Sequence, residues 1–132
     1  TPSASDMRLV LDTGALIALE RNDRAIWERL KIALLSAEVP ICHGGVVGQA
    51  WRGHGSRHAL MARVLAAIEI RGLDEALGRA AGELLARARR DDVIDAALVL
   101  LANDGDLIVT SDPDDLEPLA RAAERDVEIV RA

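Results

Sequence analysis

Short apolar segments that run straight into carboxylates are the strongest constraint on how this chain folds. RLVLD (Arg8 to Asp12) and DLIVT (Asp106 to Thr110), the second continuing as SDPDDL, read as buried strands, with Asp12 and Asp112 at or just past their carboxyl ends. A further pair, Asp92 and Asp95, opens the apolar run DDVIDAALVLLA. Segments whose apolar residues recur at helical spacing separate these runs, each matching a helix packed on one face. Alternation of strand and helix predicts an α/β fold, a three-layer α/β/α sandwich with a mostly parallel central sheet. Ligands of such sheets bind beyond the carboxyl ends of the strands, so acids distant in sequence meet at one edge.

The other elements follow from periodicity and capping. A helix is expected from Gly14 to about Glu20, and a second after Asp23, with Ile26, Leu30, Ala33 and Leu34 inward. Val39 to Cys42 reads as a second strand, followed by a glycine-interrupted helix in GGVVGQAWRG. Leu60, Met61, Val64, Leu65 and Ile68 form one helical stripe, EIRGL a brief strand, and Glu75 to about Arg89 another helix. Asp92 to Ala102 is apolar nearly all round after its first turn, which predicts a helix buried within the fold. Pro113 to Ala123 is the last helix and Val127 to Val130 the last strand. No repeat or linker divides the 132 residues, half of them hydrophobic, so one domain is expected over residues 7–132. Residues 1–6 (TPSASD) precede Met7 and are expected to be an N-terminal tail or an expression remnant.

Charge is distributed unevenly around the net value of −6. Residues 91–128 hold twelve acids against Arg121 and Arg125, whereas residues 1–90 carry a small positive excess. That balance argues against simple electrostatic adhesion to nucleic acid, yet it suits a nucleic-acid enzyme whose bound cations neutralise the acids while arginines hold phosphates. Arg52, Arg57, Arg63 and Arg71 face only Glu69 in residues 52–71, a pattern equally explained by a solvated helix face. No apolar run approaches the ~20 residues of a membrane span, and no signal-peptide pattern is visible. With the lone Cys42 lacking partners at zinc-finger spacing, a soluble protein of the reducing cytoplasm is expected.

Each acid has a local role available. Asp12 and Asp92 can cap the helices that follow them, and Asp112 before Pro113 is a common helix entry. Asp114 and Asp115 favour the positive end of that helix. Asp95 resists such an account best, since it stands three residues into an otherwise apolar helix; a capping-box-like contact back to Asp92 is its alternative. Carboxylates gathered at one sheet edge repel one another, and a hard divalent cation relieves that repulsion.

LVLDTGALIALER, DDVIDAALVLLA and LIVTSDPDDLEPLA, in this order and spacing, resemble a PIN domain, most closely the VapC-type toxins of bacterial toxin–antitoxin pairs. The resemblance runs from Met7 to the end of the chain. It implies a single PIN-like nuclease domain over residues 7–132, an endoribonuclease dependent on Mg²⁺ or Mn²⁺, homodimerisation or a toxin–antitoxin hetero-oligomer, and neutralisation by a VapB-type antitoxin. Carried over by position, the catalytic metal-holding acids fall on Asp12, Asp95 and Asp112, with Asp115 an additional metal ligand and Thr110 and Ser111 as the hydroxyl-bearing stretch; Asp92 is read from the sequence itself as a capping residue in support. One element departs from the pattern: the family's glutamate after the second strand is replaced by Gln49, which brings no negative charge. Asp92 or Asp115 is the candidate compensation, and Arg52, at i+3 from Gln49, is a candidate RNA-phosphate ligand.

Two other functional classes bear on the same residues. Gln49 suits a catalytically weak or inactive PIN-like module that binds antitoxin or RNA. Phosphotransfer folds also end their first strand with Asp, but the phosphatase pattern needs an acid where Gly14 stands, and receiver domains need a late lysine where Lys31 is the only one. His43, His54 and His58 have no matching partners and are assigned surface or core-edge roles. Trp27 and Trp51 are core fillers or partner contacts, and the helices from Gly14 to Leu35 and from Leu60 to Ile68 are candidate walls of an antitoxin groove.

Overall fold

The computed structural model describes residues 7–36, 38–56 and 58–132; residues 1–6 and Arg57, both assigned roles above, lie outside the described residues. Elements run in the order β1 (Leu9–Leu11), α1 (Thr13–Glu20), α2 (Arg24–Leu34), β2 (Ile41–His43), α3 (Gly44–Ala50), α4 (His58–Ala67) and β3 (Glu69–Arg71). They continue with α5 (Glu75–Ala88), α6 (Val93–Leu101), β4 (Leu107–Thr110), α7 (Pro113–Ala122) and β5 (Glu128–Arg131). The strands form one sheet in the order β3-β2-β1-β4-β5, and every neighbouring pair is parallel. The expected α/β architecture is therefore present, with the sheet wholly rather than mostly parallel.

Burial explains why these short segments hold as strands. β1, β2 and β4 are fully buried along their length, as continuous apolar runs in a parallel sheet must be. Of the outer strands β3 is exposed along its length and β5 is partly buried, and β3 carries a Glu69–Arg71 ion pair, the kind of charge that discourages pairing with another chain. Helix α6 buries Ala96, Ala97, Leu98, Val99 and Leu101 and packs against α5, α7 and β2, which fulfils the expectation of a helix inside the fold.

Strand order locates the candidate edge. The chain leaves β1 toward β2 on one side and reaches β5 from β4 on the other, so the crossovers diverge between β1 and β4. A crevice opens at the carboxyl ends of strands where such a switch occurs. Leu11 pairs with Val109, which places Asp12 beside Thr110 at that point.

At the opposite edge Arg8 clamps the same two strands. Its guanidinium donates to the Asp106 carboxylate at 3.0 and 3.1 Å and to the Leu101 carbonyl at 2.7 Å, while the Asn103 N–H donates to the same carboxylate oxygen. Both side chains are about nine-tenths buried. Removing one partner leaves an uncompensated buried charge, so Arg8→Ala is expected to cost about 3 kcal/mol in urea unfolding, and an unchanged midpoint would contradict the clamp.

Candidate functional site

Asp12 follows β1 and caps α1, its Oδ1 accepting from the Ala15 N–H at 2.8 Å. The local role foreseen for it is thus real, but it engages only one oxygen. Oδ2 accepts from the hydroxyl of Thr110, which is fully buried at the end of β4. That hydroxyl in turn accepts from the Asp112 N–H at 2.9 Å. One threonine therefore fixes the side chain of the first acid and the backbone of the third. Burial raises the Asp12 carboxyl above its ordinary range, and the hydrogen bonds from Thr110 and the Ala15 N–H oppose that shift.

Close approach of the β4–α7 loop depends on Gly14. A Cβ there would stand 2.5 Å from the Ser111 Cβ, a distance real side chains do not tolerate. Ser111 itself is exposed, and its carbonyl accepts from Arg131 at 2.7 Å, so the end of β5 holds the loop from the other side.

Asp112 occupies the N-cap position of α7, with Pro113 next, yet its side chain makes no capping hydrogen bond. The Asp-Pro helix entry is present without the carboxylate being engaged by it. Asp114 and Asp115 stand exposed in the first turn. On α6, Asp92 is the cap: its Oδ1 accepts from the Asp95 N–H at 3.1 Å. Among the described residues the reverse contact, from the Asp95 carboxyl to the Asp92 backbone, is not formed, so only half of the capping-box alternative is realised.

Asp95 is half-buried, and its carboxyl is pushed up to about 7. Burial contributes most; the charges of Asp92, Asp12, Asp115 and Asp112 follow in that order. Acids from three separate segments thus act on a single carboxyl, and every charge named there is negative. Asp92, Asp95 and Asp115 line a cavity of about 170 Å³ together with Arg90, Asp91 and Leu119. Asp12 and Asp112 lie outside that lining. Among the described residues no group of three acid, histidine or cysteine side chains is arranged to hold an ion as it stands. A larger cavity of about 580 Å³, lined by Trp27, Lys31 and Leu60 among others, contains no such gathering of acids.

The remaining expected residues divide. Gln49 is exposed on α3, and its Oε1 accepts from the Thr13 hydroxyl, which brings the amide next to Asp12's neighbour. Arg52 does not keep the helical i+3 relation to Gln49, because α3 ends at Ala50 and Trp51 is already extended. Its guanidinium turns back to the carbonyls of Trp51 and Gly48, at 3.0 and 3.4 Å, satisfying the end of the helix.

His43 is a contributor that sequence reasoning missed. It extends β2 by one residue beyond Cys42 and is fully buried. Nδ1 accepts from the Gly45 N–H at 3.0 Å, so the other nitrogen carries the proton and donates to the Ile94 carbonyl at 2.9 Å. Burial lowers its pKa, in keeping with a neutral ring. His43 thereby joins the start of α3 to the turn of α6 that bears Asp95. A polar residue between a strand and Gly-Gly was the available signal for this cap.

The chemistry of this donor set, though not gathered around one point, suits a hard cation: it is made of carboxylate oxygens with an amide and hydroxyls nearby, while the one thiol, Cys42, is buried in the core. No protein-family model matches this chain, and no curated protein does either.

Between about pH 4 and 7 the folded chain retains a proton on Asp95 that the unfolded chain releases, so this group's contribution to stability declines as pH rises through that window. Asp95→Asn removes the penalty. In EDTA at pH 8 its melting temperature, followed by circular dichroism, is expected to exceed the parent's by roughly 3–8 °C. At pH 4 the difference is expected to vanish; equal melting temperatures at both pH values would contradict the shared acidic field.

Proposed function

We propose that this chain is a metal-dependent endoribonuclease of PIN type, acting as the toxin of a toxin–antitoxin pair. The observation that carries the enzymatic part is the placing of Asp12 and Asp112, joined through Thr110, at the switch point of a parallel sheet, close enough to Asp95 that their charges, with those of Asp92 and Asp115, act on its carboxyl. The toxin role rests on the resemblance of three segments to VapC-type proteins. A VapB-type antitoxin and a second copy of the chain are the proposed partners, supported by the apolar end of α2, where Ile32 and Leu35 are 58% and 89% exposed. Among the described residues no helix is long and apolar enough to cross a membrane.

Asp12, Asp95 and Asp112, with Asp115 alongside, are the residues that would hold Mg²⁺ or Mn²⁺. Such a cation, when bound, supplies positive charge that polarises the phosphoryl group and makes water a stronger nucleophile. The chain's own contribution is orientation and charge. Thr110 holds one Asp12 oxygen by donating to it and fixes the Asp112 backbone by accepting from it. The Asp92 cap locks the first turn of α6, so Asp95 projects from a defined backbone. Because water attacks the phosphodiester, cleavage leaves a 5′-phosphate and a 3′-hydroxyl.

Gln49 favours a second reading, a module that binds RNA or antitoxin with little or no cleavage. It meets Thr13 with an amide, where a glutamate would add a negative charge.

Purified protein incubated with total cellular RNA and Mn²⁺ separates the two. Cleavage abolished by EDTA and reduced at least about 100-fold in Asp12→Asn is expected, with 5′-phosphates at the mapped ends. EDTA-insensitive cutting, or full activity in Asp12→Asn, would overturn the nuclease proposal, and RNA retention without products would select the binding module. Gln49→Glu is expected to lower the Mn²⁺ concentration for half-maximal cleavage about tenfold, because a carboxylate adds charge to the set. An unchanged requirement would show that position 49 does not face the cation.

A further inference from the structure

We infer that Arg90, in the wall of the acidic cavity, is an RNA-phosphate ligand that holds the substrate strand against the carboxylates. This rests on the proposal that the edge binds RNA.

Three observations support it. First, Arg90 lines the same cavity as Asp92, Asp95 and Asp115, but among the described residues it takes part in no ion pair. The acids in this wall leave the guanidinium uncommitted. Second, two other cations placed at or near this edge are engaged: Arg52 bonds the carbonyls of Gly48 and Trp51, and Arg131 bonds that of Ser111. Third, the turn that presents Arg90 is pinned on both sides. Helix α5 ends on Arg89 in the left-handed region (φ 56, ψ 48), the N–H groups of Arg89 and Arg90 both donate to the Leu85 carbonyl, and Asp92 caps α6 two residues later. A non-glycine residue held left-handed there fixes where the following side chain starts.

The chemistry selects phosphate as the occupant. A planar guanidinium offers two parallel N–H donors that match phosphate oxygens, and it remains charged at any working pH. An edge this acidic repels a polyanion, so RNA needs a local cation to approach within reach of the carboxylates. Arg90 supplies such a cation in the cavity wall it shares with Asp92, Asp95 and Asp115.

Anisotropy of a short fluorescent single-stranded oligoribonucleotide, titrated in Mn²⁺ with the Asp95→Asn chain so that the probe stays intact, tests the assignment. Introducing Arg90→Ala is expected to weaken binding about five- to tenfold and to reduce the slope of log K against log salt by roughly 0.7. Arg90→Lys is expected to restore the slope but only part of the affinity, and Arg87→Ala, outside the cavity lining, to change neither; circular dichroism melts confirm that each variant folds. Unchanged binding in Arg90→Ala, an equal loss in Arg87→Ala, or no binding by the parent chain would overturn the inference. Binding by the unsubstituted chain without cleavage would instead sink the nuclease proposal and leave Arg90 in place.

Discussion

Leu11 pairs in register with Val109, and that pairing brings two acids a hundred residues apart to one sheet edge. Thr110 then converts proximity into geometry. Its hydroxyl donates to Asp12 and accepts from the Asp112 N–H, so a single buried oxygen sets the relation between β1 and the β4–α7 loop. Gly14 lets the loop approach, and Arg131 holds it from β5. The Arg8–Asp106 clamp joins the same strands at their other ends. The positions of Asp12 and Asp112 depend on this β1–β4 junction, whereas Asp95 is set by α6 and by its tie through His43 to β2.

The junction brings together charges that oppose folding. Asp95 feels burial and four neighbouring acids, and its carboxyl moves to about 7 in response. A structure that needed only stability would replace Asp95 with an apolar residue, since the rest of α6 is Val, Ile, Ala and Leu. An acid at that position instead fits the proposed cation site, whose charge would come from outside the chain. The electrostatic cost is local: in the core beneath, Val10, Leu98 and Ile108 are completely buried and apolar.

Much of this was legible before any coordinates. Apolar runs leading to Asp12 and toward Asp112 announced parallel strands that bring those acids to one edge, and the apolar wheel of residues 93–101 announced a buried helix, because burial on both faces leaves a strong compositional trace. What required the fold were relations set by register. Thr110 reads in sequence only as a hydroxyl near an acid; its double hydrogen bond exists because β1 and β4 are neighbours. Arg131 carries no signal at all until β5 is paired with β4. Asp112 occupies the helix entry that its proline announced, but its side chain makes no capping hydrogen bond. Arg52 was placed on a helix that ends two residues earlier, ahead of Gly53 in the left-handed region. His43 was read only as a surface or core-edge residue, because a histidine at a strand end reveals its bridging role only by its two partners.

The central claim is that these acids form one cation site, and calorimetric titration of Mn²⁺ into the protein, in buffers of differing ionisation enthalpy, tests it most directly. With the Asp95 carboxyl near 7, binding at pH 7 is expected to release about half a proton per chain, falling toward zero at pH 8.5, and to be lost when Asp12 and Asp112 are both replaced by asparagine. Absence of binding, or binding that survives the double replacement, would contradict a site built on the β1–β4 junction.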